Sequence, residues 1–344
     1  MNQSIDNKKR TDRSERGSLP SQAEIRQEVE RFLGYKGSRE KVQLAFFGGN
    51  FLGLEQDEIS ALLLAAQELA DEKKIDSIRF STRPETITQQ RLELIAPYPV
   101  STVEIGVQSM DNRVLEMARR GHTAEDTIRA ASILRSYGDS KKSPIFETGM
   151  QMMVGLPGDS DETAIDTAQR IASLEPDFVR IYPLIVLEGS LLARWYREGR
   201  YTPLSLDSCV QLVKKLFLIF EKHNIPVIRM GLQASDLLQD KLSMLAGPWH
   251  PAFGHLVYSE LFFDRASDLI KKEFSAARIT PSDKIITFTV HPDSLSRARG
   301  DSNHNIKRLK ERYPSTEFKI RTDETLDRDD MQINLHSVAD GKPL

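Results

Sequence analysis

Leu44-Ala45-Phe46-Phe47-Gly48-Gly49-Asn50-Phe51 is the stretch on which the reading of this chain turns. Four apolar residues run into two glycines, and a helix-forming segment follows from about Gln56, so the stretch reads as a buried strand entering a turn. Glycine at the carboxyl end of a strand permits a positive φ and lets backbone amides approach a ligand with no Cβ in the way. A bare strand-to-helix turn would use the same two residues. What favours a ligand is that three later strands also end in polar or glycine-rich tips.

The alternation continues on both sides. Upstream, Ser21-Gln22-Ala23-Glu24 has the form of a capping box, and Ile25, Val29, Phe32 and Leu33 follow at helical spacing. Downstream, a helix is expected over residues 59–73, then the strand Ser77-Ile78-Arg79-Phe80-Ser81-Thr82 with the tip Arg83-Pro84. A helix over 89–96 leads to the strand 102–109, which carries Glu104 and Gln108. A helix over 111–119, the tip Arg120-Gly121-His122 and a longer helix over 123–137 come next. The strand 146–154 ends in Gly155-Leu156-Pro157-Gly158, and a helix over 162–173 precedes the fifth strand, 178–183. Strands separated by helices of this length imply right-handed crossovers and a parallel sheet, with the ligand across the carboxyl ends of the strands.

Beyond Pro183 the pattern loosens. An irregular aromatic-rich segment covers 187–201, an amphipathic helix 205–224, one further strand 226–232 and a turn-rich loop 247–254. A helix over 256–274 and strands over 284–290 and 316–321 around a helix at 306–313 read as a small α+β domain. The expected division is a polar, flexible lead-in over 1–20, a core over 21–260, the small domain over 261–325 and a polar tail over 326–344.

With 344 residues, 39% hydrophobic and 28% charged, at a formal net charge of −3, the chain lacks the overall charge of a strongly basic nucleic-acid binder. No apolar run approaches the ~20 residues that span a bilayer. Residues 1–10 are polar with no signal-peptide core, which makes the cytoplasm the expected compartment. Cys209 is the one cysteine, so no disulfide framework is expected.

Taken in order, Phe47-Gly48-Gly49-x-Phe51, Ser81-Thr82-Arg83-Pro84, Val103-Glu104-Ile105-Gly106-Val107-Gln108-Ser109, Arg120-Gly121-His122, Gln151-Met152-Met153-x-Gly155-Leu156-Pro157-Gly158 and Val179-Arg180-Ile181-Tyr182-Pro183 resemble the radical S-adenosylmethionine (SAM) core. The likeness is closest to bacterial proteins related to the catalytic subunit of Elongator, and covers roughly residues 20–260. The segment Gly247-Pro248-x-His250-Pro251-Ala252-Phe253-Gly254 resembles the start of their C-terminal extension, while no acetyltransferase domain is recognisable. The resemblance implies a partial (β/α) barrel that binds S-adenosylmethionine and a 4Fe–4S cluster. The family holds that cluster on a C-x-x-x-C-x-x-C loop after its first strand, and iron–sulfur clusters need thiolates. This chain has Cys209 alone, and five βα strands where the family's partial barrel has six. Asn2-Gln3 matches the family's residues after the last cluster cysteine, which puts Met1 in that cysteine's place. The expectation is therefore a barrel lacking its first strand, from a chain or gene model that begins one strand late.

The resemblance also assigns roles. Gly48 and Gly49 would meet the amino group of SAM through backbone, with Asn50 and Leu52 replacing the hydroxyl residues usual there. Thr82 and Arg83 resemble ribose or carboxylate contacts, and Gly155, Leu156 and Pro157 would bring backbone close to the adenine. Glu104 and Gln108 are two periods apart on one strand and so face the same side. A carboxylate there needs a ribose hydroxyl or an arginine, with Arg83 or Arg180 as the arginine. Arg180 counts with the cofactor set, and with Tyr182 would face the substrate side. For His122 a capping or packing role and catalysis both stand. For Trp195, Tyr196 and Tyr201 nucleobase stacking stands beside core packing, with core packing favoured; Cys209 is expected to pack inertly, and for His250 a structural role is favoured over a metal-ligand one.

The function so implied is a radical SAM enzyme, with an electron donor, that cleaves SAM to a 5′-deoxyadenosyl radical. Elongator kinship points to tRNA as substrate. The alternative is a cluster-less protein that binds SAM or a nucleotide without radical chemistry, or a fragment that does not fold stably.

Overall fold

The computed structural model describes residues 5–6, 19–35, 37, 39–139, 146–232, 243–277 and 284–337. Met1, Asn2 and Gln3, with the position matched to a cluster cysteine, lie outside the described residues. The elements in chain order are β1 (Ile5–Asp6), α1 (Gln22–Leu33), β2 (Gln43–Phe47), α2 (Gln56–Asp71), β3 (Ser77–Thr82), α3 (Gln89–Ile95), β4 (Val100–Gln108), α4 (Asn112–Met117), α5 (Ala124–Asp139), β5 (Glu147–Val154), α6 (Asp161–Ser173) and β6 (Phe178–Pro183). There follow β7 (Val186–Leu187), α7 (Leu191–Arg197), α8 (Leu206–Lys222), β8 (Val227–Met230), β9 (Met244–Ala246), α9 (Phe253–Ala277), β10 (Lys284–Val290), α10 (Leu295–Arg299), α11 (His304–Arg312), β11 (Thr316–Thr322) and β12 (Met331–Ser337). The chain divides into two compact units, Met1–Leu184 with Leu218–Arg229, and Ile185–Phe217 with Met230–Leu344.

The first unit is built on a sheet in the order β1-β2-β3-β4-β5-β6-β8, whose pairs from β1 to β6 are all parallel. This is the partial barrel expected of alternating strands and helices. The capping box of α1 forms as the Ser-x-x-Glu pattern predicts: the Glu24 amide donates to Ser21 Oγ at 3.3 Å and the Ser21 amide to Glu24 Oε2 at 2.7 Å. On α2, Ile59, Leu62, Leu63, Ala66 and Leu69 are buried at helical spacing, each large aliphatic side chain contributing about 1.5–3 kcal/mol. The polar lead-in differs from expectation. Two of its residues, Ile5 and Asp6, pair in parallel with Phe46 and Phe47, at the edge where the barrel was expected to lack a strand. The exposed edge of β2 carries backbone donors and acceptors that such a pair satisfies.

The second unit holds a mixed three-stranded sheet in the order β11-β10-β12, with β11 parallel and β12 antiparallel to β10. Phe263, Ala266, Ile270 and Phe274 of α9 and Leu309 of α11 pack with Ile286, Phe288 and Phe318 of the sheet. The polar tail expected from residue 326 onward is corrected here: Met331, Ile333 and Leu335 alternate with polar residues and pack on this core as β12. The irregular segment after Pro183 likewise contains a helix, α7, whose Ala193 amide is capped by Ser190 Oγ at 3.0 Å.

Candidate functional site

Along β3 to β6 the residues of one parity are mostly polar or glycine, with Arg79 and Ser81, Thr102, Glu104 and Gly106, Gly149 and Gln151, Arg180 and Tyr182 interrupted by Val100, Met153 and Phe178. A parallel strand covered on both faces is ordinarily apolar throughout, so this parity marks a lumen filled by polar groups. The register sets Ser81 beside Glu104, Glu104 beside Gly149, and Gln151 beside Arg180. Glu104 is 0% exposed and forms ion pairs with Arg79 and, at 2.8 Å, with Arg180 Nε. Arg180 Nη2 donates to Glu104 Oε1 at 3.3 Å, and Gln151 Nε2 donates to Glu104 Oε2 at 2.6 Å and to Ser81 Oγ at 2.9 Å. Arg79 Nη1 also donates to Gln43 Oε1 at 3.2 Å. Two guanidiniums thus share one carboxylate, both arginines being at most 5% exposed. Taking each ion out of water costs several kcal/mol, which only this close pairing offsets.

Gly149 permits the arrangement. A Cβ there would lie 2.3 Å from Phe178 Cζ and 3.0 Å from Glu104 Cγ. The Phe178 ring fills the gap and lies under both cations, its centroid 5.5 Å from Arg79 Cζ and 6.0 Å from Arg180 Cζ. Arg180 Cζ is also 5.9 Å from the Phe47 ring, so the curved sheet carries β6 across to the tip of β2.

At the rim, Gly48 and Gly49 are exposed, and a Cβ on either would meet nothing within 4 Å; Gly49 adopts φ +83. The turn is locked by Asn50, whose Oδ1 accepts from Thr82 Oγ1 at 3.1 Å, Thr86 Oγ1 at 2.9 Å and the Arg83 amide at 3.2 Å. Thr82 Oγ1 accepts in turn from the Leu52 amide at 3.0 Å. Asn50 and Leu52 therefore do structural work in place of hydroxyl residues. Arg83 does not reach Glu104: its Nη2 pairs with Glu85 at 2.5 Å and donates to the Arg120 carbonyl at 2.6 Å, passing over Gly121. His122 is buried, Nε2 donating to the Val107 carbonyl at 3.1 Å, while Nδ1 faces Glu85 Oε2 at 3.8 Å. Burial lowers its pKa.

A bulge at Val107 and φ +65 at Gln108 end β4, and the Gln108 amide nitrogen folds back to 2.9 Å from where a Gly106 Cβ would be. Gln108 so keeps the face that Gly106 shares with Glu104. The turn 155–158 is closed by Asp159, whose Oδ2 accepts from the Gly155 amide at 3.1 Å, and Gly158 packs where a Cβ would strike Met117 Sδ at 2.5 Å. Burial raises the Asp159 pKa against these hydrogen bonds.

Residues 6–171 match the radical SAM superfamily and residues 176–262 the radical SAM C-terminal domain. The chain belongs to the radical SAM superfamily. It is 26% identical to a tRNA uridine(34) acetyltransferase of Dehalococcoides mccartyi over 61% of this chain and 50% of that protein. It is 28% identical to the Elongator complex protein 3 of Saccharomyces cerevisiae over 58% of this chain and 38% of that protein. The chain thus spans half or less of these relatives. An archaeal Methanocaldococcus infernus Elp3 structure, lacking its N-terminal residues 1–46, aligns with TM-score 0.58 at 24% identity, covering 70% of this chain and 58% of that one, which shows the fold.

The radical SAM superfamily uses SAM and, in general, a 4Fe–4S cluster. The open Gly48-Gly49 turn leaves room for the former. The latter does not fit the residues present, since Cys209 is the sole thiol, fully buried on α8 and pushed up to about 12 by desolvation. Among the described residues no three His, Cys, Asp or Glu side chains group to hold a metal. His250 Nδ1 accepts from the Ala252 amide at 3.1 Å. Tyr201 is buried, Trp195 half-buried and Tyr196 exposed. No helix among the described residues is long and apolar enough to cross a membrane.

Arg79, Gly149 and Gln151 had no role in the sequence reading. The signal was their parity with Glu104 and Arg180, which becomes legible only once the strand register is known.

Proposed function

We propose that this chain binds S-adenosylmethionine across the carboxyl ends of β2 to β6, as the SAM-binding core of a cytoplasmic radical SAM protein that acts on tRNA. The observation that carries the reading is the exposed Gly48-Gly49 turn, with open space over both glycines, at the mouth of the polar lumen. The backbone of Gly48 and Gly49 receives the amino group of SAM, Arg83 holds the carboxylate or ribose side while the buried Thr82 braces the turn beneath it through Asn50 and Leu52, Gln108 lies beside the ribose with Glu104, and Gly155, Leu156 and Pro157 line the adenine. Because both Glu104 oxygens already pair with arginines and Gln151, Glu104 orients Arg180 and Gln151 more than it contacts ligand. Relatives named as tRNA uridine(34) acetyltransferases support tRNA as the substrate class.

Calorimetric titration of SAM into the full chain tests the reading. Saturable binding that Gly49→Val abolishes, with a native circular dichroism spectrum retained, supports it; equal binding by wild type and variant, or none by wild type, overturns it. An electron donor is required only if a cluster is present.

A second reading, binding without radical chemistry, is favoured by the thiol count. Anaerobic reconstitution with iron and sulfide should leave this chain without a cluster. Stoichiometric iron with the absorption of a 4Fe–4S centre would remove that reading.

A further inference from the structure

Four buried polar atoms without a hydrogen-bond partner among the described residues belong to one cluster of the first unit: Arg83 Nε, Glu85 Oε2, Arg120 Nε and His122 Nδ1. Buried polar groups are ordinarily paired, so a concentration of unpaired ones calls for a physical reason. Short distances tie these residues together. Arg83 Nη2 pairs with Glu85 Oε1 at 2.5 Å and donates to the Arg120 carbonyl at 2.6 Å, and a Cβ on Gly121 would lie 2.7 Å from it. The other carboxylate oxygen, Glu85 Oε2, faces His122 Nδ1 at 3.8 Å. A carbonyl only accepts, so His122 Nε2, 3.1 Å from the Val107 oxygen, carries the hydrogen of the neutral ring. Nδ1 is then a bare lone pair turned toward a carboxylate oxygen that also only accepts. Two buried acceptors face each other, and a single proton between them satisfies both.

We propose that Glu85 and His122 form a proton-binding pair that positions Arg83 and sets the charge it presents to the carboxylate of SAM. The pair rests on the reading of Arg83 as a carboxylate contact, and adds the two positioning residues that control that arginine. With His122 neutral, Glu85 compensates one of the two guanidiniums, Arg83 and Arg120. When Nδ1 takes a proton it donates to Glu85 Oε2, and the cluster gains one positive charge. A ligand carboxylate beside Arg83 favours that charge, so binding and proton uptake assist each other. The charged groups acting on the ring are Glu85, which favours its proton, and Arg120 and Arg83, which oppose it, while burial opposes it most. β4 presents the Val107 carbonyl to the ring. On α5, which packs on the 84–86 turn, Thr127 is neutral and the acids Glu125 and Asp126 are turned to Asn112 and Thr123. Arg113, Glu116 and Arg119, on and just after α4, are exposed. The free ring titrates below its ordinary 6.5 and a bound carboxylate raises that value, so SAM affinity rises as pH falls.

Calorimetric titration of the full chain with SAM, from about pH 7.5 down to about pH 5.5, tests the coupling. Wild type should bind SAM about threefold or more tightly at the lower pH. Decarboxylated SAM, which lacks the carboxylate, and SAM with the His122→Gln variant should each change by less than about twofold. A flat wild-type profile overturns the coupling, as does the wild-type slope appearing with His122→Gln or with decarboxylated SAM. Nitrogen-15 NMR of the histidine rings reads the pair with no SAM present, the His122 signals being those that His122→Gln removes. Glu85→Gln should lower the His122 midpoint by about half a pH unit or more. A midpoint that Glu85→Gln leaves in place overturns the pair. If SAM binds at no pH while the His122 midpoint still depends on Glu85, the SAM reading fails and the proton-binding pair stands.

Discussion

Arg180 Nε stands 2.8 Å from Glu104 Oε2 although β6 and β4 are not neighbours, β5 lying between them. The two side chains meet because Gly149, the β5 residue paired with both Glu104 and Phe178, has no Cβ to separate them. A charged network thus crosses the middle of the sheet where an apolar core would be usual, and it fixes the direction of Arg79, Gln151 and Arg180.

Removing the shared counter-charge should be expensive. Glu104→Gln leaves Arg79 and Arg180 buried without a carboxylate, and should cost about 3–5 kcal/mol in urea unfolding of the first unit. Arg180→Gln should cost less, since Arg79 keeps its partner. Equal unfolding midpoints for Glu104→Gln and wild type would remove the network from any account of stability.

The glycines divide by what surrounds them. Gly149→Ala drives a methyl into Phe178 and should destabilise by about 1–3 kcal/mol. Gly48→Ala, with open space and no positive φ, should change stability by no more than about 0.5 kcal/mol. Thermal melts of the two variants compare them directly, while SAM titration reads whether Gly48→Ala loses affinity.

His122 gives the first unit a pH dependence of known sign. Its folded pKa lies below the ordinary 6.5 because burial disfavours the imidazolium, with Glu85 opposing that only in part. The unfolded chain therefore takes up the proton more readily, so stability is full above about 6.5 and declines as pH falls toward the folded value. Urea titrations at several pH values should show this decline in wild type and a shallower one in His122→Gln. An identical slope in both proteins would assign the decline to other groups.

Cys209 should be inert while the protein is folded. Its thiol is fully buried and held near 12, so thiol reagents at neutral pH should label it only after denaturation. Rapid labelling of native protein would contradict its placement on the buried face of α8.

β12 should be indispensable to the second unit. Ile333→Asp sets a charge against the core of Phe288 and Phe318, and should abolish hydrogen-exchange protection of β10 amides while β3 and β4 in the first unit stay protected. Unchanged protection in β10 would mean that β11 and the helices alone hold that sheet.

The alternation of apolar runs with helical periodicity was enough to place β2 to β6 and the helices between them, since that pattern records local burial residue by residue. The tips Gly48-Gly49 and Gly155-Leu156-Pro157-Gly158 were visible because Gly49, Gly155 and Gly158 hold positive φ, which few other residues tolerate. Met331, Ile333 and Leu335 were missed because a seven-residue alternation inside a charged tail is a weak local signal, and only its pairing with β10 gives it a buried face. Arg83 was a natural partner for Glu104 by motif, yet the fold hands that place to Arg79, because Arg79 shares the lumen parity of β3 and Arg83 lies beyond the strand end. By itself the sequence determined the order of β2 to β6 and their helices, the polar and glycine-rich tips of those strands and the single thiol. Tertiary structure alone decided which charges meet, because an ion pair across an intervening strand depends on register, sheet curvature and the missing side chain of Gly149, none of which is written in neighbouring residues.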